Sequence, residues 1–97
     1  MNNSNFLHQN FRIMNKEEIK GKIKDIIVDK NGLDPKEVTD NAHFENDLGM
    51  DSLDRVELVM EIEKEFKISV PDAEAEKAYT LNDCVEIVDA AQHGSQG

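Results

Sequence analysis

The stretch DSLDRVELVMEIEKEF, residues 51–66, has apolar side chains on two sides of the helix that its spacing describes. Advancing about 100° per residue from Leu58, the side chains of Leu58, Ile62, Phe66 and Val59 fall within an arc of about 100°, the width of a stripe that faces a core. By the same arithmetic Leu53, Val56 and Met60 gather within about 60° of one another on the opposite side. Glu57 and Lys64 border this second stripe on one flank and Glu63 on the other. Asp51 precedes the first apolar residue as a capping carboxylate should, because it can accept from the open N–H groups of a first turn. A helix capped by Asp51 and running to about Phe66 is expected, with one face buried and a second face that a small domain cannot easily cover. Its cover is either the preceding loop, the next helix, or a partner.

Upstream, Asn15 is placed to cap a helix whose first turn carries Glu17 and Glu18, where the dipole favours acid. Ile19, Ile23, Ile26 and Ile27 recur at helical spacing, and Gly32 stops the pattern after Lys30 and Asn31. The first helix is expected over residues 16 to 30. Between residues 33 and 51 turn chemistry dominates, in Asp34-Pro35, Thr39-Asp40-Asn41 and Gly49, with Leu33, Val38, Phe44 and Leu48 as scattered anchors. A loop this long is uncommon in a small domain unless it serves function.

Downstream, Pro71 opens a short third helix with Asp72 and Glu74 early and Lys77 late. Thr80 and Asp83 frame a fourth start as a weak capping box, and Leu81, Cys84, Val85 and Val88 then share one face. Cys84 reads as a small buried hydrophobe. Residues 1–13 (MNNSNFLHQNFRI) lack acid and period and read as a disordered extension, with a fresh start at Met14; residues 92–97 read as a fraying tail. The expected fold is all-α, one small domain over residues 14–91: a four-helix bundle of three longer helices and one short, with a long loop between the first and second.

The 97 residues leave room for one small core. There are 21 Asp and Glu against 11 Lys and Arg, a net charge of -10. Between positions 37 and 76 the 13 acidic and 3 basic side chains account for that whole imbalance. Such an excess repels phosphate backbones and anionic lipid, so no nucleic acid and no membrane insertion are expected, and a basic protein surface is the expected partner. The lone cysteine excludes an internal disulfide and fits a cytoplasmic setting, and no spacing suits a zinc site. The aliphatic runs are too short to span a bilayer, and a monomer is expected.

Ser52 stands at the mouth of this helix among carboxylates. A hydrolase would need a histidine base, yet the histidines are His8, His43 and His93, and Gly49-Met50-Asp51-Ser52 lacks the Gly-x-Ser-x-Gly elbow. An EF-hand counted from Asp47 puts Ser52 where glycine belongs and Leu58 where the bidentate glutamate belongs. Neither chemistry accounts for the serine.

The run Asp47-Leu48-Gly49-Met50-Asp51-Ser52-Leu53-Asp54, followed by Val56-Glu57-Leu58-Val59-Met60, resembles the signature of acyl carrier proteins of dissociated, type II fatty acid synthesis. The resemblance extends from about Met14 to about Ala91. It implies a right-handed bundle and no catalytic residues. It also implies that a separate phosphopantetheinyl transferase esterifies Ser52 with 4'-phosphopantetheine from coenzyme A, so Ser52 needs no base of its own. The arm then holds acyl groups as thioesters. By resemblance, Asp51, Leu53, Asp54, Val56, Glu57, Met60 and Glu63 meet basic docking patches on the enzymes of fatty acid biosynthesis, and an acyl chain is buried in a pocket lined by residues such as Leu58, Ile62 and Val70.

Lys64 and Lys67 stand where the family often has acids, Ala73 replaces a typical acid, and Ala78-Tyr79 follows Lys77 where a branched aliphatic is usual. These departures raise one alternative, a carrier for a specialised lipid or polyketide; an acidic adaptor that keeps the helical surface but is never modified at Ser52 is a separate one.

Overall fold

Asn15 starts the first helix with a reciprocal pair of hydrogen bonds. The Glu18 N–H donates to Asn15 Oδ1 at 2.9 Å, and the Asn15 N–H donates to Glu18 Oε1 at 3.2 Å. Glu18 is thus half of a capping box as well as a charge at the positive end of the dipole. In the computed structural model, which describes residues 13–94, α1 runs Lys16–Asn31 and ends at Gly32. Gly32 takes φ 64°, a left-handed conformation that costs glycine little, and its N–H donates to the Val28 carbonyl at 2.9 Å.

Among the described residues three further helices complete the bundle: α2 over Ser52–Phe66, a single turn α3 over Asp72–Ala75, and α4 over Leu81–Gly94. The expected four-helix architecture, three long and one short with a long first connection, is the one observed. Ile19, Ile23 and Ile27 of α1 are fully buried, and α1 packs chiefly on α4, whose Leu81, Cys84, Val85 and Val88 are buried in turn. Leu58, Val59 and Ile62 of α2 close the core from the other side. Each such side chain stabilises the fold by about 1.5–3 kcal/mol relative to exposure. Phe66 is only partly buried and packs at the edge of this core.

The connection between α1 and α2 is ordered by anchors. A 3₁₀ turn over Pro35–Glu37 follows the Asp34 cap, and Val38 and Phe44 are buried as expected. Leu33 and Leu48 are half-buried, and Met50, which no periodicity marks, is buried to 5% exposure. One isolated bridge, His43 with Thr80, and a 2.7 Å bond from the Phe44 N–H to the Tyr79 carbonyl tie the loop to the start of α4.

Two boundaries differ from expectation. The third helix ends at Ala75, before Lys77, because in residues 72–78 only Ala75 and Ala78 are shielded and nothing apolar extends the buried face. The last helix continues past Ala91 to Gly94, where the Gln92 side chain accepts from the Met14 N–H at 2.9 Å and donates to the Met14 carbonyl at 3.0 Å. That long-range pair gives the final turn a reason to form. Residues 1–12 and 95–97, most of the expected extension and the end of the tail, lie outside the described residues.

Candidate functional site

Ser52 is the first residue of α2 and is exposed. Asp51 caps the helix: the Asp54 N–H donates to Asp51 Oδ1 at 2.8 Å, and the Asp51 N–H donates to Asp54 Oδ2 at 3.1 Å. The sequence marks Asp51 as the cap; the reciprocal role of Asp54 emerges from the geometry, an aspartate standing where Glu or Gln is usual. The box satisfies the N–H groups of Asp51 and Asp54. Among the described residues the N–H groups of Ser52 and Leu53 and the Ser52 hydroxyl have no hydrogen-bond partner. A free hydroxyl therefore sits beside two open donors at the positive end of a helix, an arrangement suited to an attached phosphate.

The loop delivers the chain to this point. The Met50 N–H donates to the Phe44 carbonyl at 2.9 Å, and both side chains are buried, so the segment just before Asp51 is pinned to the core. Gly49 makes the turn between them at φ 71°, a conformation that a side chain would strain. Asp47 is used locally: its carboxylate accepts from the His43 N–H at 2.8 Å. His43 in turn accepts at Nδ1 from the Asn46 N–H at 3.2 Å and stacks on Tyr79, with ring centroids 5.2 Å apart. Its imidazole is built into the loop.

The second face of α2 is uncovered. Leu53, Val56 and Met60 are 63%, 54% and 58% exposed, so neither the loop nor α3 folds over them. Large apolar side chains clustered on one face are the feature that marks an interaction site, whereas scattered ones are ordinary. The acidic rim is more committed to the fold than the sequence implies. Glu57 lies 3.7 Å from Lys30 of α1, and Glu63 accepts from the Val70 N–H at 2.7 Å, holding the α2–α3 connection. Glu61, which the helical wheel does not single out, lies 3.7 Å from Lys64.

Arg55 is the residue that periodicity misses. Its side chain is only 14% exposed, and its Nε donates to Glu45 Oε2 of the loop at 2.8 Å. The guanidinium lies 4.5 Å from the centre of the Tyr79 ring and donates weakly, at 3.5 and 3.4 Å, to the carbonyls of Ala75 and Ala78. The shielded charge-assisted bond contributes about 1.5–3 kcal/mol and the ring contact about 0.5–2 kcal/mol. The signal available in the sequence was the single Lys or Arg between positions 37 and 63, which has no period.

Beside Arg55 a cleft of about 290 Å³ opens between α2 and α3, lined by Val56, Val59, Met60, Val70 and Ala75, with Glu63, Asp72 and Glu76 at its edge. Of Leu58, Ile62 and Val70, the residues expected around an acyl chain, this cleft takes in one. Val70 takes part, but Leu58 and Ile62 point into the core at 0% and 3% exposure and do not line the cleft, because they occupy the face of α2 that meets α1.

Cys84 is buried in α4, and burial pushes its thiol up to about 12, so it is no nucleophile. Among the described residues no three His, Cys, Asp or Glu side chains are grouped to hold a metal ion, and no helix is long and apolar enough to cross a membrane. A family model described as "Phosphopantetheine attachment site" matches residues 21–88, well over half of the chain and the stretch that contains Ser52.

Proposed function

The chain belongs to the phosphopantetheine attachment-site family, and we propose that it is an acyl carrier protein of fatty acid biosynthesis modified at Ser52. The family binds 4'-phosphopantetheine covalently, and its domains are carriers rather than catalysts. When bound, the group supplies a terminal thiol that holds acyl chains as thioesters. The observation that carries the assignment to Ser52 is an exposed, unpartnered hydroxyl at the first position of α2, inside the matched stretch.

On this reading each neighbour has a task. Asp51 and Asp54 fix the first turn and leave the Ser52 and Leu53 N–H groups to face the phosphate. The hydroxyl proton is taken by a base of the phosphopantetheinyl transferase, since the imidazole of His43 is engaged within the loop. Leu53, Val56 and Met60 form the surface on which the transferase and the synthesis enzymes dock, while Glu57 and Glu63 steer basic patches on those enzymes. The Val70 N–H holds the Glu63 carboxylate beside the strip, and Glu57 stands within ion-pair reach of Lys30. The cleft between α2 and α3 is the place for the acyl chain, lined by apolar groups and next to the helix that bears Ser52.

The test is an intact mass after incubation with coenzyme A, magnesium and a broad-specificity phosphopantetheinyl transferase, beside the Ser52→Ala variant. One phosphopantetheine gained by the native chain and none by the variant is the expected result. A folded, previously unmodified protein that gains nothing would instead be an acidic adaptor.

A further inference from the structure

We propose that Arg55 is a positioning residue that holds the segment after α3 against α2 and thereby sets the width of the cleft between them; on the carrier reading above, this limits the length of acyl chain the cleft accepts. Arg55 lines the cleft, and so does Ala75, whose carbonyl it meets. The segment has few other ties to α2. In residues 72–79 only Ala78 is fully buried, and α3 is a single turn. Its hydrogen bonds run within itself, as in Lys77 N–H to Glu74, Ala78 N–H to Ala75 and Tyr79 N–H to Lys77, or on to the loop and α4 through Phe44 and Asp83.

Arg55, itself a lining residue of the cleft, therefore links α2 to two carbonyls and the Tyr79 ring of this segment, with Glu45 of the loop as its further partner. The fork geometry of a guanidinium is what allows one side chain to serve all of them. Glu45 aims the group, and its contact is the short one at 2.8 Å. Ala78, Phe44 and Asp83 tie the far end of the segment to the core, the loop and α4, so it is the approach to α2, made through weak contacts and little buried area, that depends on Arg55.

Two measurements decide the matter, using Arg55→Met and Arg55→Lys. The first is amide hydrogen exchange in the full chain without acyl group. Arg55→Met is expected to speed exchange at residues 75–79 by at least about tenfold while the amides of Ile19, Ile23 and Ile27 stay protected. Arg55→Lys, which keeps the charge but cannot reach all partners, should lie between. The second loads each protein from a series of saturated acyl coenzyme A thioesters and reads melting temperature against chain length. The length giving the greatest stabilisation should move upward in Arg55→Met.

Unchanged exchange at residues 75–79, or exchange raised equally everywhere in both variants, would overturn the holding role. Faster local exchange with an unmoved chain-length optimum would overturn the link to size. Failure to load Ser52 at all refutes the carrier reading, and the size limit with it, while exchange still judges the contact itself.

Discussion

Leu58→Ala and Met60→Ala are two positions apart on α2 and should have opposite consequences. Leu58 is fully buried against α1 and the core, so truncation removes its transfer free energy and leaves a cavity, a loss of about 2–5 kcal/mol. In a domain whose whole stability is about 5–15 kcal/mol, that is a large share. At about 4–8 °C per kcal/mol for a domain of this size, the melting temperature should fall by roughly 8–40 °C. Met60 is 58% exposed, and methionine and alanine differ little in helix propensity, so its truncation should cost under about 0.5 kcal/mol. Docking should show the reverse order. If Met60 is an anchor of the partner face, kcat/KM for transfer of phosphopantetheine should fall about tenfold or more in Met60→Ala, and remain near native for Leu58→Ala at a temperature where it is folded. Urea titration followed by circular dichroism gives the stabilities, and mass spectrometry at sub-saturating carrier gives the rates. A destabilisation above about 1.5 kcal/mol in Met60→Ala would mean that its face is covered in solution, and the reasoning from two faces would fail.

Cys84 should resist alkylation in the native protein at neutral pH, because its thiol is buried and pushed up to about 12, and should react once urea unfolds the chain; labelling of the folded protein at the rate of a free cysteine would contradict that burial. Lys67 ends α2 at φ 55°, a conformation that costs a residue with a Cβ, so Lys67→Gly should raise stability by about 0.5–1 kcal/mol as a shift in the urea midpoint, and an unchanged or lower midpoint would show that its side chain contributes contacts of its own.

The helices were legible where one physical rule dominates. Ile19, Ile23 and Ile27 recur every turn, Gly32 breaks the pattern, and Asp51 and Thr80 carry oxygen where a cap needs it. The far end of the third helix is not legible in the same way, because a proline announces a start, whereas the stop depends on how much apolar surface the segment buries. The burial of Met50 has no sequence signal for a related reason: a single anchor in an irregular loop has no repeat to betray it.

The sequence by itself determined that α2 has two apolar faces and that Ser52 opens it, since helical angle and capping chemistry act between residues a few positions apart. Which face would meet α1, and that none of the described residues would cover Leu53, Val56 and Met60, was decided only when the chain packed. The same holds for Arg55. Its partners Glu45, Ala75, Ala78 and Tyr79 lie ten or more positions away, and a guanidinium's reach across such distances follows no sequence period. Tertiary packing brought them together, and with them the cleft beside Ser52's helix.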